Sequence, residues 1–250
     1  MNKLRRLFFG FTEYLPAARW SFSLIVTAFI ALVSVYKYID LADTAVFSSA
    51  EIMFVTLTDT INIVFIYLPL YLFIVCGIMN SDSFGASEIV RFKSRKEWLL
   101  SKMVTYIINT VAFILSLVLI NFIVFNSVFS VSDKWSGDFV GFRVMMGQPA
   151  ADFSYPPFET ILVSVLALFL FYLLCGGVNM VFSLMTGDEA AGLFASLFIG
   201  IALGLINMLS VSAGLLSQVL RCAVLAAVLA LICVCCIILV RKRDFGGKKH

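Results

Sequence analysis

Long apolar stretches alternate with short polar segments along this chain, and each stretch is about as long as a membrane-spanning helix. A hydrocarbon core about 30 Å thick requires about 20 mostly apolar residues in one helix. The pattern therefore predicts an all-α polytopic membrane protein, in which residues 20–240 form one transmembrane domain. The six predicted transmembrane helices cover residues about 20–39, 61–79, 103–125, 161–185, 190–209 and 219–240.

The composition agrees with this class of protein. Hydrophobic residues make up 62% of the chain and charged residues 13%, and the mean hydropathy is +1.04, whereas a soluble domain carries about 25% charged residues. The six cysteines lie in or beside apolar stretches, which argues against a disulfide framework. Cys233, Cys235 and Cys236 have no His or acidic neighbour, so we expect buried packing there rather than a metal site.

The amino-terminal residues 1–19 are too polar to span a membrane. Their apolar residues recur at helical spacing with charged residues between them, and Pro16 follows. This pattern predicts an interfacial amphipathic helix with its apolar face towards the lipid. The alternative is a basic tail without a fixed fold. No cleavable signal peptide is expected, because no small-residue cleavage site follows the first apolar stretch.

The segment Ser81–Lys102 is the most basic polar part of the first half of the chain. Ser94 and Glu97 fit a capping box, which predicts that the third long helix begins near Arg95. A helix from Arg95 to Phe125 would be about 46 Å long at about 1.5 Å per residue. It would exceed the hydrocarbon core and project as a stalk of about two turns. Residues 84–92 can form a separate short helix before it.

The distribution of Lys and Arg predicts the orientation in the membrane. Fourteen of the 18 basic residues fall on one side if both termini are cytoplasmic, and the positive-inside rule favours that topology for a multi-pass protein of the cell membrane. Residues 241–250 then form a basic cytoplasmic tail. Residues 40–60, 126–160 and 210–218 would lie outside, and residues 139–146 can form a short amphipathic turn there.

Glycines mark the expected close approaches and turns in the second half of the chain. Gly187 can adopt the positive φ of a helix C-cap, and Asp188 and Glu189 would begin the next helix. Gly200 and Gly204 have the spacing of a packing face, and residues 190–218 could form a span followed by a re-entrant hairpin.

The sequence lacks the residues that several kinds of catalysis and of nucleotide or metal binding require. The only histidine is His250, and neither a P-loop nor a G-x-S-x-G motif occurs. We therefore predict no catalytic residue, no metal ligand and no bound cofactor in this chain. The intramembrane asparagines are expected to bond between helices, with a substrate path as the alternative for Asn62, Asn179 and Asn207.

The plan of the chain resembles the ABC-2 type permeases, the membrane subunits of ABC exporters whose ATPase is a separate chain. The resemblance is carried by the amphipathic start, the six spans with both ends inside, the short helix between spans two and three, and the glycine-rich fifth span. Its most specific part is the sequence SEIVRFKSRKEWLLSK at residues 87–102. Lys93 stands where the family commonly has proline, and the long external segment lies between spans three and four.

The resemblance implies that the loop after span two is a coupling helix, which binds a groove of the ATPase. The residues implied in this contact are Phe84, Glu88, Ile89, Arg91, Phe92, Lys93, Arg95 and Lys96. It also implies two ATPase subunits that carry ATP and Mg²⁺, a second or homologous permease, and an amphipathic cargo such as an antimicrobial peptide, a lipid-like compound or a drug. Membrane lipid is a partner and nucleic acid is not.

Two other classes of function stay open at this point. A non-transporting membrane scaffold or assembly factor would have the same topology without a water-accessible path between subunits. A membrane-embedded enzyme is the weakest interpretation, because the sequence has neither a histidine within the spans nor a cluster of acidic residues.

Overall fold

The computed structural model describes residues 17–41, 47–79, 94–145, 153, 155–205 and 215–242. These residues form helices and short connections, with no strand among them, so the all-α expectation is confirmed for this part of the chain. The predicted interfacial helix lies outside the described residues except for residues 17–19, which begin the first helix. The predicted basic tail also lies outside them except for residues 241–242, which end the last helix.

The described residues contain eight α-helices and one π-helical segment. In chain order they are α1 (Ala17–Leu41), α2 (Ser49–Thr58), the π segment (Asn62–Tyr67), α3 (Leu68–Val75), α4 (Arg95–Asn126), α5 (Gly137–Met145), α6 (Pro157–Thr186), α7 (Glu189–Leu205) and α8 (Leu215–Lys242). We call the end of the bundle at which α1 and α4 begin and α6 ends the clamp end. The opposite end, with α2 and α5, is called the cap end.

Four of these helices are long and apolar enough to cross a membrane: residues 17–39, 96–126, 157–186 and 219–240. They correspond to the predicted spans one, three, four and six. The predicted fifth span corresponds to α7, which is apolar but only 17 residues long. Residues 206–214, where a re-entrant hairpin was expected, lie outside the described residues. Four of the six predicted spans are therefore confirmed as helices that are long and apolar enough to cross a membrane.

The second span differs most from its prediction. Residues 40–60 were expected to be an external polar segment, but they contain the buried helix α2, whose Ile52, Phe54 and Leu57 are each 1% exposed. Together α2 and the helical stretch Asn62–Val75 are apolar enough for one span, bent by 62°. The break lies at Asp59, the C-cap of α2, whose carboxylate accepts the N–H of Ile61 at 3.0 Å.

Buried tyrosines fill the centre of the bundle around the π segment and α3. Tyr71 and Tyr172 have ring centroids 5.3 Å apart, and the hydroxyl of Tyr172 donates to the carbonyl of Ile63 in the π segment at 3.2 Å. A Cβ at Gly176 would lie 2.6 Å from the hydroxyl oxygen of Tyr71 and 2.9 Å from the ring of Tyr106. Gly176 is thus what lets α6 approach these two rings.

The predicted glycine packing face of the fifth span is confirmed. A Cβ at Gly200 would overlap the side chain of Leu68, and a Cβ at Gly204 would overlap that of Val64. Because the two glycines lie one turn apart on α7, their missing side chains form a shallow groove that receives the π segment and the start of α3.

A buried carboxylate joins the two parts of the cap end. Glu51 is 0% exposed, and it forms a capping box at the start of α2 by accepting the N–H of Ser48 at 2.7 Å. Its other oxygen accepts the N–H of Ser136, just before α5. Since a buried carboxylate needs such donors, Glu51 fixes the segment before α5 to α2.

Aromatic side chains cover this joint. The Trp135 ring stacks on Phe139 with centroids 5.2 Å apart, and it meets Phe54 of α2 edge-on at the same distance. The indole N–H of Trp135 donates to the carbonyl of Tyr155 at 2.6 Å. The short helix predicted at residues 139–146 is present as α5, and it belongs to a packed cap rather than to a loose external loop.

Candidate functional site

The basic segment singled out in the sequence is flanked by two described parts of the chain, both at the clamp end. The turn Cys76–Met79, which follows α3, precedes it, and the described chain resumes at Ser94, the N-cap of α4. Ser94 accepts the N–H of Glu97 at 3.2 Å, so the predicted helix start is confirmed. Residues 80–93 lie between these two points and outside the described residues.

Glu189, the first residue of α7, holds the turn after α3. One of its carboxylate oxygens accepts the N–H of Gly77 at 2.6 Å and the N–H of Met79 at 3.3 Å. Gly77 has φ = 98°, a conformation that side-chain-bearing residues rarely adopt. The acid thereby links two parts of the chain that lie 112 residues apart in sequence.

The short connection between α6 and α7 positions Glu189 for its contact with the turn after α3. Gly187 ends α6 with φ = 81°, which confirms the predicted C-cap. The hydroxyl of Thr186 accepts the N–H of Asp188 at 3.2 Å, and the carboxylate of Asp188 accepts the N–H of Ala190 at 2.9 Å. These local bonds fix the turn, and an acidic residue in the first turn of a helix also interacts favourably with the helix dipole.

Arg19 in the first turn of α1 holds the same turn from the other side. Its guanidinium donates to the carbonyl of Cys76 and, at 3.4 Å, to that of Phe73. It also lies 5.4 Å from the centroid of the Phe73 ring. The last carbonyls of a helix have no partners within that helix, and Arg19 supplies donors to those of α3.

The beginning of α4 completes this end of the bundle. Lys102 is 3% exposed and its Nζ lies 5.9 Å from the ring of Trp98, which is 4% exposed. Burial disfavours the charge on Glu189, but the two N–H groups, Lys102 and Arg19 favour it. We call Arg19, Gly77, Lys102 and Glu189 the clamp: Arg19 and Glu189 join α1 and α7 to the turn after α3, and Lys102 of α4 lies near Glu189.

The burial of this region corrects one prediction. The excess length of α4 was expected to project as a stalk of about two turns. Trp98, Leu99 and Lys102 are instead packed inside the bundle, and the first turn with Lys96 is the exposed part. Apolar packing of Trp98 and Leu99 offsets the cost of burying this basic helix start.

A buried polar network continues from the clamp into the bundle. Asn179 of α6 donates to the hydroxyl of Tyr106 at 2.7 Å and accepts the hydroxyl of Ser183 at 3.2 Å. The network reaches α7 at Gly192, one turn after Glu189. A Cβ at Gly192 would overlap the side-chain oxygens of Asn179 and Ser183. The expected role of Asn179 in bonding between helices is therefore confirmed, since it is 0% exposed and joins α6 to α4.

Few of the predicted site residues lie within the described part of the chain. Lys96 is exposed in the first turn of α4, and Arg95 begins that helix, although its side chain is not among the described ones. The other implied coupling residues, Phe84, Glu88, Ile89, Arg91, Phe92 and Lys93, lie outside the described residues, as does Asn207. Asn62 is half-buried at the start of the π segment, apart from Asn179.

The clamp itself was not anticipated as a unit. The sequence predicts that Glu189 lies at a helix start, but it does not link this acid to Gly77 or to Arg19. The sequence does contain one signal for this contact: Gly77 directly follows an apolar stretch, and the acidic Glu189 is predicted at the same end of the bundle. Sequence spacing could not connect them, because the contact joins distant segments.

The helices define the class of this protein: an all-helical bundle, in its described part, with several helices suited to a membrane. No curated protein and no solved structure matches the chain. Residues 22–221 match the family model described as "Protein of unknown function (DUF2705)", and the chain belongs to this family. The match runs from within α1 to the first part of α8, so it includes Gly77, Lys102 and Glu189 of the clamp but not Arg19.

Proposed function

We propose that this chain is the permease subunit of an ABC exporter whose ATPase is a separate polypeptide. ATP and Mg²⁺ would be bound by two copies of that ATPase, and the permease would act with a second copy of itself or with a homologous permease. The cargo is an amphipathic compound, such as an antimicrobial peptide, a lipid-like molecule or a drug.

The observation that carries the proposal is the clamp around the ends of the basic segment. Residues 80–93 are tethered on one side to the turn that Arg19 and Glu189 hold, and on the other side to the packed start of α4. A force applied to this segment would reach α1, α3, α4 and α7 at once. A coupling element requires such a connection, since partner closure must become a rigid-body movement of helices.

In this proposal the chain crosses the membrane six times with both termini in the cytoplasm. The crossings are α1, the bent stretch from α2 to α3, α4, α6, α7 and α8. The clamp end faces the cytoplasm, because most basic residues of the sequence belong to that side. The cap end, with the buried Glu51 and its aromatic cover, faces outward.

The packed interior favours a cargo path between two permease chains over a path through one bundle. Tyr71 bonds to Thr110 at 2.9 Å, and Tyr106 bonds to Asn179, so these four buried side chains are paired with one another rather than open to a path through the bundle. Cargo moving between two chains would leave this interior intact. Movement of the helices that the clamp holds would open and close that interface.

Co-purification with a candidate ABC ATPase, taken from a gene that neighbours this one, tests the proposal. We expect the two proteins to form a complex and the permease to raise ATP turnover of the ATPase. Reversal of charge at Arg91 and Arg95 should weaken the complex, whereas Lys134→Glu, at an exposed position of the cap end, should not. A wild-type protein that neither binds the ATPase nor changes its turnover would refute the proposal.

The same closed interior also suits a second function, that of a non-transporting scaffold or assembly factor. Single-cysteine variants along the π segment, α3 and α7 distinguish the two functions in the assembled complex. A transporter should show a stripe of positions whose reactivity to a water-soluble thiol reagent changes with nucleotide. A scaffold should show the same reactivity in both nucleotide states.

A further inference from the structure

Four sulfur-containing side chains from three helices line one small crevice near the clamp end. They are Met103 of α4, Met180 of α6, and Cys233 and Cys236 of α8. The crevice has a volume of about 90 Å³, and its other lining residues are apolar apart from Tyr106. Sequence spacing alone does not group these residues, because the two methionines are far from the cysteines along the chain.

Helix packing explains why the four residues line the same crevice. A Cβ at Gly177 would lie 2.8 Å from Cγ2 of Ile232, so α6 and α8 approach closely there. Cys233 and Cys236 are one turn apart on α8, and both line the crevice. Met180 and Cys236 are both buried, at 3% and 1% exposure. All four residues lie about two turns from the helix ends on the clamp side.

Ligand chemistry narrows what such a crevice can bind. Within the described residues no group of three or more His, Cys, Asp or Glu side chains could hold a metal ion, and hard cations prefer oxygen ligands. Thiolate and thioether sulfurs instead select soft ions, above all Cu(I). Two cysteines and two methionines in one cavity therefore favour a soft metal ion. Neither pair alone would be sufficient to indicate such a site.

We propose that this crevice, here called the sulfur site, binds one soft monovalent metal ion, Cu(I) or its analogue Ag(I). Cys233 and Cys236 ligate as thiolates, and Met103 and Met180 contribute thioether sulfurs. Each thiol loses its proton to the solvent when it ligates, so two protons are released for each ion bound. No electron is transferred. The site is independent of the proposed partnership with an ATPase.

Titration of the purified full-length protein with Ag(I) and Cu(I), under anaerobic and reducing conditions, tests the proposal. Elemental analysis after desalting should find one ion per chain. The Cys233→Ser, Cys236→Ser double variant should bind at least 100-fold more weakly. The matched control carries Cys222→Ser and Cys235→Ser on the same helix and should bind as the wild type does, since neither residue lines the crevice.

Two further measurements separate ligation from a general effect on the fold. The Met103→Leu, Met180→Leu variant keeps the side-chain size and should weaken binding about tenfold. Bound Ag(I) should protect the half-buried Cys233 from alkylation in peptide mapping, but should leave the exposed Cys235 reactive. Absence of stoichiometric binding to the wild type, equal binding by the Cys233 and Cys236 variant, or protection confined to Cys235 would each overturn the proposal.

Discussion

Removal of the Glu189 carboxylate should loosen the turn that leads to residues 80–93. In Glu189→Ala the N–H groups of Gly77 and Met79 lose the acceptor that they share, at 2.6 and 3.3 Å. Arg19 and Lys102 also lose the negative charge beside them. The turn keeps the contacts of Arg19 with the carbonyls of Phe73 and Cys76, and the backbone bond from the N–H of Ile78 to the carbonyl of Val75 at 3.2 Å.

The size of the effect follows from these contacts. A hydrogen bond to a charged group contributes about 1.5–3 kcal/mol. The second bond here is long and Glu189 is half-buried, so we take about 2 kcal/mol for the pair after allowance for solvent screening. A change of about 2 kcal/mol in the free energy of local opening corresponds to a change of about 30-fold in the opening equilibrium.

Hydrogen exchange measured by mass spectrometry on the protein in lipid nanodiscs can detect this change. Amide exchange within residues 76–79 should become about 30-fold faster in Glu189→Ala. Glu189→Gln, which keeps an acceptor oxygen, should give a smaller increase. Glu159→Ala is the matched control, because Glu159 is also an acid in the first turn of a long apolar helix but is exposed at the cap end.

The same variant tests the link between the clamp and coupling. If an ATPase binds the basic segment, Glu189→Ala should leave the complex intact and reduce the stimulation of ATP turnover, whereas charge reversal at Arg91 and Arg95 should weaken the complex itself. Unchanged exchange in residues 76–79, or an equal increase in Glu159→Ala, would show that Glu189 does not hold the turn.

Two further substitutions test the packing on which the fold depends. Gly192→Ala should destabilise the protein by about 1–3 kcal/mol in thermal unfolding, because the new Cβ overlaps the oxygens of Asn179 and Ser183; Gly141→Ala, whose Cβ would meet nothing within 4 Å, should be neutral or slightly stabilising. Glu51→Ala should cost about 2–3 kcal/mol and increase proteolysis near α5, because the N–H groups of Ser48 and Ser136 lose their buried acceptor. Asp133→Asn, at an exposed position nearby, should change neither measurement.

Local features of this protein were predictable because they depend on residues a few positions apart. Ser94 as an N-cap and Gly187 as a C-cap follow from bonds within single turns of the chain. The glycine face of α7 was predictable from its spacing, although its partner was not. The start of α4 at Arg95 was correct for the same reason, and only its expected exposure was wrong.

The region of α2 shows where such reasoning fails. Glu51 and Asp59 made residues 40–60 look like an external loop, since charged residues are rarely buried. In the fold the carboxylate of Glu51 receives N–H groups from its own helix start and from Ser136, and that contact spans 85 residues. Once these donors are in place, the apolar residues of α2 can be buried together with the acid.

The sequence by itself determined that the chain forms long apolar helices, where several of them begin and end, and in which polar segments the basic residues are concentrated. These properties arise from hydrophobic length, from caps and from composition. Only the tertiary structure decided that Glu189 meets Gly77, that Arg19 covers the end of α3, and that two methionines and two cysteines share one crevice. Such contacts join segments that are remote in sequence, and they form only when the packing of whole helices brings those segments together.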